Sequence, residues 1–214
     1  MVAGSVEDHD IEKGRRLFAR PCDFLTSGVG PDSFPLETLP EIAFSGRSNA
    51  GKSSLINALT GQRGLARASN QPGRTQSINF FEISGALRLV DLPGYGFAQA
   101  PKATAAAWNR LVHGFLRRRA RVCRVVLLVD ARRGLMAIDR AMMADLEGMA
   151  VSYQIVLTKI DTLPKTKIST LISATTEAIS GHAASFPLVL ATSARKAKGI
   201  AELRASLAEL ANFQ

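Results

Sequence analysis

Residues Gly46–Ser53 read GRSNAGKS, and this stretch decides the fold. It fits G-x-x-x-x-G-K-[ST], the pattern of a loop that cradles nucleotide phosphates between a strand and a helix. Gly46 and Gly51 permit the tight path that turns backbone N–H groups towards phosphate oxygens. Lys52 can reach the β- and γ-phosphates, and the Ser53 hydroxyl can bind Mg²⁺. The alternative is a glycine-rich turn without a ligand, but the apolar EIAFSG before it and the helical KSSLINALTG after it favour nucleotide binding.

The chain around this loop alternates strand-like and helix-like segments. Strands are predicted at EIAFSG, INFFEI, ALRLVDLPG, CRVVLLVDA, YQIVLTK and PLVLATS, mostly with helical patterns between them. The predicted fold class is therefore α/β, a three-layer P-loop NTPase with a mostly parallel sheet and helices on both faces. Ligands of such sheets bind at the carboxyl ends of the strands.

The length of 214 residues suits one domain. Residues 1–39 are predicted to be an N-terminal extension, a short polar helix followed by the loop-like SGVGPDSFPLETLP. Residues 40–214 are predicted to be the nucleotide-binding domain.

The net charge of +9 is large for this length. Either the cations only solvate the surface, or they bind a polyanion by releasing its counterions. Clustering favours the second interpretation: five arginines lie between Arg117 and Arg124, three cations between Arg195 and Lys198, and a pair at Arg132 and Arg133. Aromatic residues are only 6% of the chain and the sequence shows no RNA-reading module with stacking aromatics, so we expect recognition mostly by phosphate and shape contacts.

Targeting signals are absent from the sequence pattern. The acidic, polar N-terminus lacks the basic start and apolar core of a secretory signal, and the longest apolar stretch, VVLLVDA, is too short for a bilayer. Cys22 and Cys123 lack metal-ligand spacing and are expected to be reduced thiols rather than a disulfide. We expect a cytoplasmic monomer without a transmembrane segment.

A second motif, DLPG at Asp91–Gly94, ends another predicted strand. Asp91 can hold the Mg²⁺ shell, and the Gly94 N–H can sense a γ-phosphate. By itself, a strand-ending aspartate before a Pro-Gly turn is common and needs no ligand. Downstream of a phosphate loop, the pattern favours the nucleotide.

Two more motifs end the last strands and predict which base is bound. In TKID, Thr158–Asp161, the carboxylate of Asp161 can accept hydrogen bonds from the ring N–H and the exocyclic amine of guanine, donors that adenine lacks on that edge. The stem of Lys159 can lie along the base plane. In TSA, Thr192–Ala194, a backbone N–H can reach the guanine oxygen. Each motif alone also fits a solvated loop.

Together and in this order, the four motifs resemble the G1, G3, G4 and G5 elements of translation-factor-class GTPases with a small GTPase-like G domain. The G2 element must lie in the long aperiodic interval 61–77, where Thr75 is the predicted sensor of Mg²⁺ and γ-phosphate. GRSNAGKSSLINAL, PGRTQSINFF, DLPGYGFA, TKID and TSARKAKG further resemble the EngB family (also called YihA or YsxC), from about Pro40 to the C-terminus. Ile160 departs from that pattern, because a small residue is expected there.

The resemblance implies a set of nucleotide-binding positions. These are Gly46, Arg47, Ser48, Asn49, Ala50, Gly51, Lys52 and Ser53; Gly73, Arg74, Thr75, Gln76 and Ser77; Asp91, Leu92, Pro93 and Gly94; Thr158, Lys159, Ile160 and Asp161; and Thr192, Ser193 and Ala194. The implied catalytic positions are Lys52, Thr75, Asn49 and Gly94, and the implied Mg²⁺ ligands are Ser53, Thr75 and Asp91.

The resemblance also implies GTP and GDP as ligands, GTP hydrolysis, and a role in assembly of the large ribosomal subunit linked to cell division and septation. Tyr95 stands where small regulatory GTPases often carry a water-positioning glutamine, and neither Tyr95 nor Phe97 can replace that amide. We therefore expect slow hydrolysis that needs outside help. Asn49 occupies the place where related GTPases use an asparagine to bind K⁺, although it can equally serve only to stabilise the loop.

Two rival classes remain open. A P-loop nucleoside or nucleotide kinase shares the first motif but has no use for TKID followed by TSA. A GTP-binding division or membrane-associated scaffold protein that does not act on ribosomes is the second alternative.

Overall fold

The computed structural model of the chain describes residues 7–66, 77–96 and 102–212, without the side chains of residues 102–105. Its strands are β1 (Cys22–Gly28), β2 (Glu41–Gly46), β3 (Ile78–Ile83), β4 (Leu87–Asp91), β5 (Val122–Asp130), β6 (Tyr153–Thr158) and β7 (Leu190–Ala191). Its α-helices are α1 (Asp8–Phe18), α2 (Lys52–Thr60), α3 (Lys102–Arg118), α4 (Ala137–Gly148), α5 (Lys165–Ile179) and α6 (Ile200–Ala208). Single 3₁₀ turns lie at Pro31–Ser33 and Ile160–Thr162.

The strands form one sheet in the order β1-β3-β4-β2-β5-β6-β7. The five strands from β4 to β7 in that order are parallel, whereas β3 runs antiparallel to both β1 and β4. All six residues of the central strand β2 are buried, as expected for a strand covered on both faces. The carboxyl ends of β2, β4, β5, β6 and β7 therefore meet at one edge.

Helices cover both faces of the sheet. One core cluster joins one face to α3, α4 and α5, and the other joins the opposite face to α1, α2 and α6. This three-layer, mostly parallel arrangement confirms the predicted fold class. Among the described residues, no helix has the length and apolar character needed to cross a membrane.

The first 39 residues contribute more to the sheet than the sequence predicted, since no strand was predicted there. β1 pairs with β3 as an edge strand, with a register shift between Phe24 and Thr26. The helix α1 buries Leu17 and Phe18 and packs against α6, so closely that a Cβ on Gly14 would lie 2.6 Å from the Ala205 nitrogen. Residues 8–28 thus share the sheet and core of the remaining chain.

The two cysteines lie in different environments. Cys22 is buried at the start of β1 and Cys123 is exposed on β5, and both thiols are free. Burial raises the pKa of Cys22 to about 12, so this thiol stays protonated near neutral pH.

Candidate functional site

The loop between β2 and α2 has the backbone path that its glycines predict. Gly51 has φ +96° and the preceding Asn49 has φ +65°. A Cβ on Gly46 would lie 3.0 Å from the side chain and the backbone oxygen of Leu128 on β5, so only glycine fits there without movement. The Ala50 N–H donates to the Arg47 carbonyl at 2.9 Å and closes the turn. Lys52 and Ser53 form the first turn of α2, whose N-terminus favours anions.

The segment after β4 lies directly against this loop. The Tyr95 N–H donates to the Gly46 carbonyl at 3.2 Å, and the Ser48 N–H donates to the Tyr95 carbonyl at 2.9 Å. A Cβ on Gly94 would lie 3.3 Å from the Ser48 nitrogen. The Lys52 ammonium contacts the Asp91 carboxylate, and both side chains are largely buried. The two Mg²⁺-ligand candidates of the described chain, Ser53 and Asp91, therefore flank one lysine.

The TKID segment reaches the same loop from β6. The Thr158 hydroxyl donates to the Ala50 carbonyl at 2.6 Å. The Lys159 ammonium donates to the Asn49 carbonyl and, at 3.0 Å, to a carboxylate oxygen of Asp130. Its stem lies over the loop, because a Cβ on Gly51 would meet the Lys159 Cε at 3.6 Å.

The TSA segment joins TKID through two contacts. The Ile160 N–H donates to the Thr192 carbonyl at 3.2 Å, and the Ser193 hydroxyl donates to Asp161 Oδ1 at 2.7 Å. The hydrogen bond from Ser193 is the main cause that lowers the pKa of Asp161, with help from its own backbone N–H and from Arg195 and Lys196. Asp161 is therefore an ionised acceptor, as recognition of two guanine N–H donors requires.

Some predicted positions contribute only backbone to this edge. Leu92 and Ile160 are buried in the core, so the unexpected isoleucine does not compete for the space beside Asp161. The Pro93 carbonyl accepts a hydrogen bond from the Trp108 indole at 2.8 Å. Ser77 is partly buried just before β3. Gly73, Arg74, Thr75 and Gln76 lie outside the described residues, as does Phe97.

Asn49 is exposed, and its carbonyl is the acceptor for Lys159. This contact supports the loop through the Asn49 backbone. It leaves the side-chain amide available for the K⁺ hypothesis.

Two functional contacts were missed by sequence reasoning. Asp130, at the end of β5, accepts a hydrogen bond from the Lys159 ammonium. Burial alone would raise the pKa of Asp130, but hydrogen bonds from Arg132 and Lys159 outweigh burial and hold this pKa well below its usual value. Its position after the buried strand VVLLV was a usable signal. The second contact joins the Tyr95 hydroxyl to buried Asp139 of α4 at 2.8 Å. No local pattern predicted that pair.

The arginine cluster at Arg117–Arg124 is less exposed than the sequence predicted. Arg119 binds both carboxylate oxygens of buried Glu41, at 2.9 and 2.7 Å. Arg124 is buried and lies 3.7 Å from the centre of the Phe186 ring. These two cations stabilise the fold, and the exposed members are Arg117, Arg118 and Arg121. Arg132 also has a partner, Asp130, whereas Arg195, Lys196 and Lys198 are exposed beside the TSA segment.

Comparison with known proteins defines the class first. A family model described as a 50S ribosome-binding GTPase matches residues 41–159, more than half of the chain. The fold and the four strand-end segments agree with this match, so the protein is a P-loop GTPase, a GTP-binding protein of the class that hydrolyses GTP.

Individual relatives then define the family. A probable GTP-binding protein EngB from Bradyrhizobium diazoefficiens is 52% identical to this chain, over 94% of this chain and 93% of its own length. The corresponding protein from Caulobacter vibrioides is 48% identical, over 97% of this chain and 91% of its own length. A crystal structure of a probable GTP-binding protein engB aligns with TM-score 0.64 at 26% identity, over 79% of this chain and 97% of that one. The chain belongs to the EngB family, and the alignments with the two sequence relatives leave out so little of this chain that they include most of residues 1–39. A structure of Era with MgGDPNP and part of 16S ribosomal RNA shares the fold, at 20% identity and TM-score 0.60, over 82% of this chain and 57% of that one.

Proposed function

We propose that this protein is a Mg²⁺-dependent GTP switch that acts in the cytoplasm in assembly of the large ribosomal subunit, with a link to cell division and septation. The observation that carries the guanine assignment is the ionised Asp161 carboxylate, fixed by Ser193 beside the Lys159 stem and the phosphate loop. The ribosomal assignment is supported by the matched family's description and by the exposed cations of a +9 chain.

The nucleotide would lie across the carboxyl edge of the sheet. The loop from Gly46 to Ser53 would surround the phosphates with backbone N–H groups, and Lys52 would exchange its contact with Asp91 for phosphate oxygens. Asp161 and the TSA backbone would bind the guanine edge, while the carboxylate of Asp130 keeps Lys159 in place.

The chemistry of the donors fits Mg²⁺. Ser53 and Asp91 offer a hydroxyl and a carboxylate, both hard oxygen ligands. Within residues 7–66, 77–96 and 102–212, no cluster of three His, Cys, Asp or Glu side chains forms a metal cage. That fits an ion completed by phosphate oxygens and water, with Thr75 proposed as a further ligand. When bound, Mg²⁺ would neutralise charge on the β- and γ-phosphates.

Hydrolysis by the isolated protein is proposed to be slow. The Tyr95 hydroxyl is buried and already donates to Asp139, so it does not orient the attacking water. Help would come from a ribosomal partner, and the Asn49 side chain is the proposed K⁺ ligand. Equal turnover in KCl and NaCl at matched ionic strength would eliminate the K⁺ proposal.

The switch itself is proposed to involve the loop around Thr75 and the segment GYGFAQAPK, residues 94–102. Loss of the γ-phosphate would release both and give the protein two surface states. The proposed active unit is a monomer.

Sedimentation tests the function. We expect the protein to co-migrate with large ribosomal subunits in the presence of a non-hydrolysable GTP analogue and to be released with GDP. Fractionation with membranes and indifference to ribosomes would instead establish the scaffold alternative.

Competition for a fluorescent GDP analogue tests the base assignment. GTP and GDP should compete, and ATP should not. Asp161→Asn should weaken GDP binding, because the amide replaces one acceptor oxygen with a donor. Asp23→Asn, an exposed change on β1, is the matched control. Equal GDP affinity in both variants would refute the role of Asp161.

A further inference from the structure

A groove of about 310 Å³ lies on the face of α3, at a distance in sequence from all four nucleotide motifs. One wall is the turn after β1, with Val29, Pro31 and Phe34, and the other is α3, with Arg110, Gly114 and Arg118. We call this feature the α3 groove. Its volume is at the lower end of the range for ligand pockets, which suits one base-sized group.

Gly114 is the residue that opens the groove. It lies in the middle of a 17-residue helix, where glycine costs about 1 kcal/mol relative to alanine. Its backbone does not need glycine, because its φ is not positive, and a Cβ there would meet nothing within 4 Å. A side chain at this position would therefore occupy the groove.

Two cations flank this opening. Arg110 and Arg118 lie one helical turn before and after Gly114, roughly 12 Å apart along the helix axis. Both are exposed, and among the described residues neither forms an ion pair, in contrast to the buried Arg119. On the opposite wall, the exposed Asp32 follows Pro31 in the chain but does not itself line the groove.

The floor between the two cations is aromatic and apolar. The Phe34 ring is partly exposed and packs against Phe80 and Phe115, with ring centres 5.5 Å apart in both pairs. Phe115 also lines the groove. A flat apolar group would fit over this floor while anionic groups on either side meet the arginines.

We propose that the α3 groove binds single-stranded RNA, with one unpaired base in the groove and the neighbouring phosphates on Arg110 and Arg118. Single-stranded RNA combines a flat base with phosphates on both sides, and protein sites for it pair aromatic rings with basic side chains. An acidic protein segment would satisfy the arginines but has no need for a base-sized aromatic floor. This inference rests on the proposed ribosomal function, since it names the surface that meets ribosomal RNA.

The test uses the full-length protein with a GTP analogue, purified large subunits and large-subunit RNA stripped of protein. Arg118→Gln is compared with Arg117→Gln, an equal charge change at an adjacent exposed residue outside the groove. Gly114→Leu fills the groove, and Gly114→Ala is its small-side-chain control. Binding of a fluorescent GDP analogue checks that each variant is folded.

We expect Arg118→Gln, but not Arg117→Gln, to weaken binding to both targets. In Arg110→Gln/Arg118→Gln, the slope of log K against log salt should fall by about 1.4, or about 0.7 for each lost phosphate of a single strand. Gly114→Leu should cost roughly 5- to 150-fold in affinity, the range for loss of one stacked base, and leave GDP binding unchanged.

Three results would overturn the inference. Equal losses in the two single arginine variants would mean that only overall charge matters. Losses on intact subunits without losses on stripped RNA would identify a protein partner instead, and losses without a change in salt slope would show that the two arginines do not contact phosphates. Unchanged binding in Gly114→Leu would exclude the base. If the wild-type protein itself fails to bind large subunits, the proposed function fails rather than the groove.

Discussion

The hydrogen bond between Tyr95 and Asp139 allows us to predict how much stability the protein loses when the Tyr95 hydroxyl is removed. The Asp139 carboxylate is only 1% exposed and accepts two hydrogen bonds, from the Tyr95 hydroxyl at 2.8 Å and from the Met136 N–H at 2.9 Å. Burial and the neighbouring carboxylate raise the pKa of Tyr95 far above its usual value, so the hydroxyl remains a donor at every physiological pH. Tyr95→Phe removes this donor and leaves the ring in place.

The expected cost is that of losing a hydrogen bond to a buried charged group, about 1.5–3 kcal/mol. For a urea m-value of about 3 kcal/mol/M, this corresponds to a midpoint lower by about 0.5–1 M at unchanged m. Urea titration followed by circular dichroism measures both quantities.

Tyr153→Phe is the matched control. Tyr153 is fully buried, and within the described residues its hydroxyl has only a weak contact with Ser185 and no partner that meets full hydrogen-bonding geometry, so its removal should cost clearly less than removal of the Tyr95 hydroxyl. A midpoint for Tyr95→Phe within 0.2 M of wild type (about 0.6 kcal/mol at that m-value), or an equal drop in both variants, would refute the reasoning.

Three further substitutions test other parts of the structure. Gly46→Ala places a Cβ 3.0 Å from a backbone oxygen of β5, so the phosphate loop or β5 must move by a few tenths of an ångström, and GTP turnover measured by phosphate release should fall, by less than the roughly hundredfold loss that a misplacement of about 1 Å can cause. The pKa of Asp161 lies below the ordinary aspartate value of about 3.9, so its carboxylate stays charged as pH falls; Ser193→Ala removes the main cause and should make GDP binding decline at a higher pH in a titration from pH 6 to 3, and superimposable profiles would contradict this. Arg119→Met removes the two-pronged partner of buried Glu41 and leaves it with Arg88, whose Nη1 lies 3.7 Å away, so the unfolding free energy measured in urea should fall by about 3 kcal/mol, the lower end of the range for breaking a buried pair.

The sequence predicted the fold wherever the physical signal was strong. Continuous apolar runs such as VVLLV and IAF helped to identify strands buried on both faces, and helical spacing, with a glycine after the first of these helices, located the helices between them. The strand β1 was not predicted because an edge strand lacks the buried apolar pattern that identifies the central strands. Its middle residues are mostly exposed, including Phe24 at 53% and Leu25 at 44%, and its register shift breaks the alternation that identifies a half-buried strand.

The candidate site was predictable where one segment carries its own chemistry. Gly46–Ser53 and Thr158–Asp161 are read from local spacing, and parallel strands bring their ends together. Contacts between distant side chains were not predictable in the same way. Arg119 looked like part of a basic patch, and only the fold reveals that Glu41, 78 residues away, is its partner. Charge clusters in sequence do not distinguish a cation on the surface from one inside.

Tyr95 also limits how the nucleotide signal can spread. Its N–H and carbonyl bind the phosphate loop, and its hydroxyl binds α4, so three hydrogen bonds anchor the residue next to Gly94. Breaking the two backbone hydrogen bonds costs about 1–3 kcal/mol, and breaking the hydrogen bond to the Asp139 carboxylate costs about 1.5–3 kcal/mol. A ligand must supply that difference between its two states to move Tyr95. The pair of Tyr95 and Asp139 therefore raises the free-energy cost of any state in which the residue after Gly94 leaves the phosphate loop, and the release proposed for this segment has to overcome that cost.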